Sequence, residues 1–125
     1  MRKTTEQKRA ETYERGLWAE GLAALYLIGK GYRVLKRRYK TKFGEIDLIV
    51  QKGDIICFVE VKARARESDA LETVDLRTQA RIEKAALYFL SENPVYFERG
   101  LRFDVVAVIP PAKVVHLDNA WEARS

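Results

Sequence analysis

The chain has 125 residues, 47% of them apolar and 33% charged, with a net charge of +5 and a pI near 9.4. That length fits one domain, residues 1–125, burying about two thirds of its unfolded surface, and the composition excludes a chain disordered throughout. No run of about 18 apolar residues occurs, which excludes a membrane-spanning helix, and a single cysteine excludes an internal disulfide.

Residues 1–12 are polar and mixed in charge and are expected to be flexible. They lack the apolar core of a signal peptide. With Cys57 expected as a buried thiol among strand residues, a reducing, cytoplasmic setting follows. A helix is predicted over 11–29. Leu17, Ala24, Leu27 and Ile28 lie at helical spacing, with Trp18, Leu22 and Leu25 beside them, and Gly29 and Gly31 are stop signals. Glu20 falls on the same stripe. An acid facing a core is costly unless it is paired or ligating, so Glu20 either reaches solvent or an arginine at the stripe's edge or belongs to a site.

Residues 30–42 hold seven Lys or Arg (Lys30, Arg33, Lys36, Arg37, Arg38, Lys40 and Lys42) and no acid. The run is either solvated surface or a track for a phosphate backbone. Within it, 32–39 alternates and reads as a first strand.

Residues 43–64, FGEIDLIVQKGDIICFVEVKAR, read as two strands folded about Gly53-Asp54. A two-residue loop sets Lys52 against Ile55, and so puts Ile49 against Phe58, Asp47 against Glu60 and Glu45 against Lys62, these last three pairs all on one face. Ile46, Leu48 and Val50 then share the other face with Ile55, Cys57, Val59 and Val61. Two carboxylates facing each other lie roughly 5 Å apart. At an effective dielectric near 20 they repel by about 3 kcal/mol. A divalent cation between Asp47 and Glu60, with Lys62 alongside, would relieve that repulsion. The alternative is a solvated face with an ordinary Glu45–Lys62 pair, which the apolar Ile49 and Phe58 on the same face disfavour.

Residues 64–72 show no periodicity and are expected to form a loop, with Arg64 and Arg66 near the end of the third strand. A second helix is predicted over 73–92. Its apolar stripe is Ile82, Ala85, Ala86, Phe89 and Leu90; its basic face is Arg77, Arg81 and Lys84, with Tyr88 one turn on. Residues 101–109 read as a buried strand, 113–117 as a short edge strand, and 118–125 as a flexible tail. His116 is expected as an exposed edge residue rather than a ligand. Asp104, a lone acid in an apolar strand, is expected to pair with Arg102 or a neighbouring arginine. The order α-β-β-β-α-β(-β) implies an α/β domain with one central mixed sheet flanked by helices.

Asp47, a gap of twelve, then Glu60-Val61-Lys62 resembles the signature of the PD-(D/E)xK nuclease superfamily, whose restriction-endonuclease-like core has this element order. More closely, AEGLAALYLIGKGYRVL (19–35), FGEIDLI (43–49), FVEVKAR (58–64) and RFDVVAV (102–108), with VDLRTQARI (74–82), resemble the YraN family of uncharacterised bacterial proteins. That family is described as predicted endonucleases similar to archaeal Holliday-junction resolvases. The resemblance implies that Asp47 and Glu60 ligate Mg²⁺ or Mn²⁺, with the Val61 carbonyl as a further ligand. Lys62 would orient the attacking water or stabilise phosphoryl charge. Glu20 matches an acid brought to the metal from the first helix, and Gln79 a polar residue lining the cleft. Glu45 lies in the same block without an assigned role. The superfamily's Pro is absent, Ile46 standing in its place, and Thr78 occupies a position where the family commonly has Lys.

The expected function is therefore divalent-metal-dependent endonucleolytic hydrolysis of nucleic acid, with branched or structured DNA favoured by the resemblance alone. Arg37, Arg38, Lys40, Lys42, Arg64, Arg66, Arg77 and Arg81 are the expected backbone contacts, and a homodimer would suit a substrate cut twice. The competing readings are a non-catalytic nucleic-acid-binding module that keeps the fold, and a protein-interaction adaptor whose basic surface serves solubility.

Overall fold

A computed structural model of the protein describes residues 2–71 and 74–123, the side chains of residues 70 and 71 excepted. Helix α1, Thr5–Gly29, starts well before the apolar periodicity that predicts it. The reason is a capping box: the Thr4 hydroxyl accepts from the Gln7 amide at 3.0 Å, and the Gln7 side chain accepts from the Thr4 amide at 2.8 Å. Residues 5–12, expected as a flexible start, are therefore a solvent-exposed first stretch of helix.

The face α1 turns inward is made of Ala19, Glu20, Ala23, Ala24 and Leu27. Leu17, Leu25 and Ile28, which the spacing of large residues places in the core, are exposed instead. Small side chains allow a helix to lie close against a sheet, and the alanines take that place here.

Five strands follow in one sheet, in the order of the sequence: β1 (Arg33–Lys40), β2 (Glu45–Lys52), β3 (Ile55–Ala63), β4 (Gly100–Ile109) and β5 (Lys113–Trp121). All neighbours are antiparallel except β3 and β4, which run parallel and are joined by the crossover that contains α2, Leu76–Glu92. The β2–β3 turn has Gly53 at φ 59, a left-handed conformation that glycine adopts without strain. The hairpin register is the predicted one, with Lys52 opposite Ile55 and Ile49 opposite Phe58.

α2 opens on Asp75, whose side chain accepts from the Thr78 amide at 2.8 Å, and residue 73, its expected start, lies outside the described residues. It buries the stripe predicted for it, Ile82, Ala85, Ala86, Phe89 and Leu90, against Ile46, Ile49, Ile56, Phe58, Phe103 and Trp121. On the opposite face α1 packs over Leu48, Val50, Cys57, Val59, Val106 and Val108. The sheet is thus one central mixed layer flanked by helices, in the order α-β-β-β-α-β-β.

Three expectations change here. The stretch 64–72 contains a 3-10 helix, Glu67–Leu71. β5 runs on to Trp121, because that indole stacks on Phe103 at 5.1 Å and is buried, so the first half of the expected tail is strand; residues 124 and 125 lie outside the described residues. Ile46 packs on the α2 side, away from Leu48 and Val50. Among the described residues, no helix is long and apolar enough to cross a membrane.

Candidate active site at a fork between two strands

The β2–β3 ladder runs from Lys52 and Ile55 to Leu48 and Val59 and stops there. Beyond that point each strand stays with its outer neighbour. β2 remains paired to β1 as far as Glu45 opposite Lys40, and β3 to β4 as far as Ala63 opposite Val108. The sheet therefore forks, and Asp47, Glu60 and Lys62 lie on the two prongs. Asp47 and Glu60 are not a rung of the ladder, as strict pairing predicts, and no Glu45–Lys62 rung forms.

The chain makes this fork locally. Ile46 and Leu48 are two residues apart and would share a face in a regular strand, yet they pack on opposite sides of the sheet. The slip falls on Asp47. On β1, between the pairs Arg37–Leu48 and Tyr39–Ile46, Arg38 has φ 51, a left-handed conformation that costs a non-glycine residue about 1–2 kcal/mol. Its guanidinium lies 3.3 Å from the Tyr13 hydroxyl, 3.5 Å from Glu45 and 3.9 Å from Glu20, and over the Tyr13 ring at 5.3 Å. These contacts hold the strained residue.

Within the fork, the Val61 amide donates to Asp47 Oδ2 at 2.7 Å. Burial pushes the Asp47 carboxyl up to about 6 against the opposing effect of that amide, and the charges of Glu45 and Glu20 push the same way as burial. Burial raises Glu60 further, to about 8; the Asp47 charge adds to it and Lys62 works against it. Two half-buried carboxyls thus share a site that holds a proton at neutral pH when no cation is present. Lys62, also half-buried, exerts its charge on both Glu60 and Asp75, which places it between the fork and the start of α2.

Glu20 is 6% exposed, as its place on the inward stripe implies, and its charge reaches Asp47. Its carboxylate is nevertheless turned to Arg37 at 3.3 Å and Arg38 at 3.9 Å. Among the described residues, no three His, Cys, Asp or Glu side chains converge at metal-binding distances. The geometry unites Asp47, Glu60 and Lys62 and holds Glu20 apart. Gln79 is turned back toward the segment that leads into its helix, donating to the Val74 carbonyl at 2.7 Å.

The basic residues divide. Arg37 and Arg38 are engaged by Glu20, and Arg66 lies 3.4 Å from Asp69. Arg64 continues β3, its amide donating to the Val108 carbonyl and its side chain to the Ala63 carbonyl. Lys40, Lys42, Arg77 and Arg81 are exposed, the first two beside the β1–β2 loop and the others on α2.

A second polar cluster lies inside the sheet. Asp104, fully buried, accepts from Arg102 at both oxygens (2.8 Å each) and from the Asn119 amide at 3.0 Å, and lies 2.7 Å from His116 Nε2. Arg102 also donates to the Tyr32 hydroxyl at 2.6 Å. The Arg102 pairing is the expected one. His116 is not an exposed edge residue: its side chain is 3% exposed, and its Nδ1 takes up the Lys30 ammonium at 2.9 Å. The sequence does contain the signal, since a fully buried acid requires several donors and His116 falls opposite Val106, beside it.

The chain is similar to several known proteins. A UPF0102 protein of Mesorhizobium japonicum is 45% identical over 125 residues, all of both chains. One of Methylorubrum extorquens is 49% identical over 115 residues, 92% of this chain and 90% of that one. Among solved structures, SfsA of Pyrococcus furiosus in complex with Ca²⁺ is similar at a TM-score of 0.35 and 13% identity, over 90% of this chain and 65% of that one. The family described as "Uncharacterised protein family UPF0102" matches residues 19–108. The fork, its acids and its lysine all lie inside that span, and the chain belongs to the UPF0102 family.

Proposed function

We propose that this protein is a divalent-metal-dependent endonuclease that hydrolyses phosphodiester bonds of nucleic acid, with branched or structured DNA as its substrate. The observation that carries the reading is the fork, where the Asp47 carboxylate is held by the Val61 amide on one prong and its charge and that of Lys62 both act on the half-buried Glu60 of the other. The donor set suits a hard cation. Asp47 and Glu60 offer carboxylate oxygens. In a strand, a residue's amide and carbonyl point to the same side, so the Val61 carbonyl is directed toward the fork along with its amide. Asp47, Glu60 and the Val61 carbonyl would hold Mg²⁺ or Mn²⁺. Bound there, the ion supplies Lewis-acid polarisation of the phosphoryl group and lowers the pKa of water.

The chain's own residues do the rest. The Val61 amide fixes the Asp47 carboxylate in one orientation. Lys62 brings positive charge to the phosphoryl oxygens as charge builds on them in the transition state. Lys40, Lys42, Arg77 and Arg81, all exposed, take the phosphate backbone on either side of the scissile bond. A homodimer would present two such sites to a branched substrate, and a cytoplasmic location suits the buried, unpaired Cys57.

One observation favours a second reading, a nucleic-acid-binding module without catalysis: Glu20 is committed to two arginines, and among the described residues the acids do not close into a three-ligand group. Nicking assays with Mn²⁺ on linear, flapped and four-way DNA separate the two. The nuclease reading requires strand scission by the wild type that Lys62→Ala abolishes. Steeply salt-dependent binding with no scission on any substrate would establish the binding module instead.

A further inference from the structure

Outside the fork, two aromatic side chains stand on the surface among cations. Phe43, in the loop between β1 and β2, is 38% exposed, and Tyr88, on α2, is 39% exposed. Their rings meet edge to face at 6.4 Å between centroids. Each ring is more covered than exposed yet lies outside the buried core clusters, so core packing alone does not account for its position.

The position is built. The Thr41 hydroxyl accepts from the amides of both Phe43 and Gly44 and donates to the Gly44 carbonyl, while the Thr41 amide donates to the same carbonyl. This closes the loop on itself and fixes the Phe43 backbone. Gly44 lets the loop settle on α2, because a Cβ there would stand 3.3 Å from Arg81 Cβ. Two turns further along α2, Tyr88 receives Phe43. Lys40, Thr41, Lys42 and Tyr88 line a cleft of about 350 Å³, within the roughly 300–1,000 Å³ range of small-ligand sites.

The surroundings are cationic. Lys42 Nζ lies 5.3 Å from the Phe43 ring centroid, and Lys40, Arg81 and Lys84 are exposed around the pair. The nearby acids are committed: Glu92 accepts the Tyr39 hydroxyl at 2.7 Å, and Glu45 pairs with Arg38. Two partly exposed rings among cations, with the mobile Lys42 ammonium over Phe43 free to move to a phosphate, suit one class of ligand, a nucleotide whose base is not paired. The ring stacks on the aromatic and the adjoining phosphates meet the lysines and arginine. A duplex keeps its bases stacked on one another and cannot use the rings in this way.

We infer that Phe43 and Tyr88 form a stacking site for an unpaired base, flanked by Lys40, Lys42, Arg81 and Lys84 as phosphate contacts. Resting on the nucleic-acid reading above, this narrows the substrate to nucleic acid with a single-stranded segment beside the fork. Phe43 is four residues from Asp47, no more than roughly 14 Å along the chain. At about 3.4 Å per stacked nucleotide, the stacked base would lie within some four nucleotides of the phosphate at the fork.

The test is equilibrium binding in EDTA, by fluorescence anisotropy, of single-stranded and duplex DNA and of single-stranded RNA of one length. A 2-aminopurine in the single strand reports stacking directly. Phe43→Ala and Tyr88→Ala are each expected to weaken single-strand binding roughly 5- to 150-fold and abolish 2-aminopurine quenching. Duplex affinity and the salt slope should move less than about twofold, and Tyr88→Phe should retain wild-type binding. The RNA arm decides which nucleic acid supplies the base. Equal losses on single strand and duplex, unchanged quenching, or no binding of single strands by the wild type would each overturn the inference. Scission is scored separately: aromatic-dependent binding without cutting leaves the stacking site and removes the nuclease reading, and cutting that ignores both aromatics does the reverse.

Discussion

The Asp47 carboxylate takes the place of a backbone partner for Val61, accepting its amide at 2.7 Å where β2 and β3 have ceased to pair. This one contact both satisfies a strand amide and aims a carboxylate into the fork. The two roles separate by mutation. Asp47→Asn keeps an acceptor and loses the charge, so without metal it should melt at or above the wild-type temperature, since it also removes the repulsion with Glu60. Asp47→Ala leaves the amide unsatisfied and should be about 1–3 kcal/mol less stable than Asp47→Asn. Mn²⁺ at a hundredfold excess over its Kd should stabilise the wild type by about 2.7 kcal/mol and neither variant. Thermal melts with and without Mn²⁺ check this, and an equal Mn²⁺ response in Asp47→Asn would remove Asp47 from the metal site.

The same carboxyls set a pH dependence. Their folded pKa values, about 6 for Asp47 and about 8 for Glu60, lie above the 3.8 and 4.5 of the unfolded chain, so the folded state holds more protons between those limits. Stability from this source is complete below about pH 4 and is lost as pH rises through 6 and then 8. Metal-free protein should therefore melt several degrees lower at pH 8 than at pH 5, and Glu60→Gln should remove most of the difference. The Asp104 carboxyl, held low by His116 and Arg102 despite its burial, loses its contribution only below this window. Mn²⁺ binding at pH 7 should release protons, measured as a buffer-dependent calorimetric heat. A melting temperature that rises from pH 5 to pH 8 would contradict the charge distribution described for the fork.

Much of this arrangement is legible in the sequence because it is periodic. The α2 stripe follows helical spacing from Ile82 to Leu90 and stands as read, and the hairpin register about Gly53-Asp54 stands from Lys52–Ile55 as far as Leu48–Val59. The fork is not legible, because the apolar pattern continues through Ile46 and Leu48 while the packing side switches between them. Large residues mislead in part on α1, where Leu27 is buried as read but most inward positions belong to alanines and the leucines at positions 17 and 25 are exposed. Glu20 is buried as its position implies, but its arginine partners sit on a neighbouring strand and only the fold brings them to it. Trp121 extends β5 through one tertiary stack on Phe103, which no local pattern records.

Arg38 joins backbone strain to this site. Its φ of 51 disfavours any residue with a Cβ, whereas its side chain links Tyr13, Glu20 and Glu45. Substitution separates these terms. Arg38→Gly and Arg38→Ala lose the same contacts, but only glycine relieves the backbone, so Arg38→Gly should be about 1 kcal/mol more stable than Arg38→Ala. Urea melts at one pH measure the difference. Equal stabilities would mean that the strand relaxes once the guanidinium is gone, and that the contacts impose the left-handed turn.

The Asp104 cluster makes the last prediction. A lysine ammonium only donates, so the His116 Nδ1 facing Lys30 is an acceptor and the proton sits on Nε2, donating to Asp104. Nitrogen-15 chemical shifts should therefore report the Nε2–H tautomer. Asp104→Ala strips Arg102 of both its carboxylate bonds and leaves the His116 Nε2–H without a partner inside the sheet, which should cost about 3–5 kcal/mol. Asp104→Asn keeps the size and one acceptor oxygen and should cost less. The cluster's carboxylate points at Arg102 on β4 and at His116 and Asn119 on β5, and it is not among the main influences on Asp47 or Glu60. Asp104→Asn should accordingly leave the Mn²⁺ response of the fork intact. A loss of metal stabilisation in a folded Asp104→Asn protein would show instead that the two polar clusters are coupled through β3 and β4.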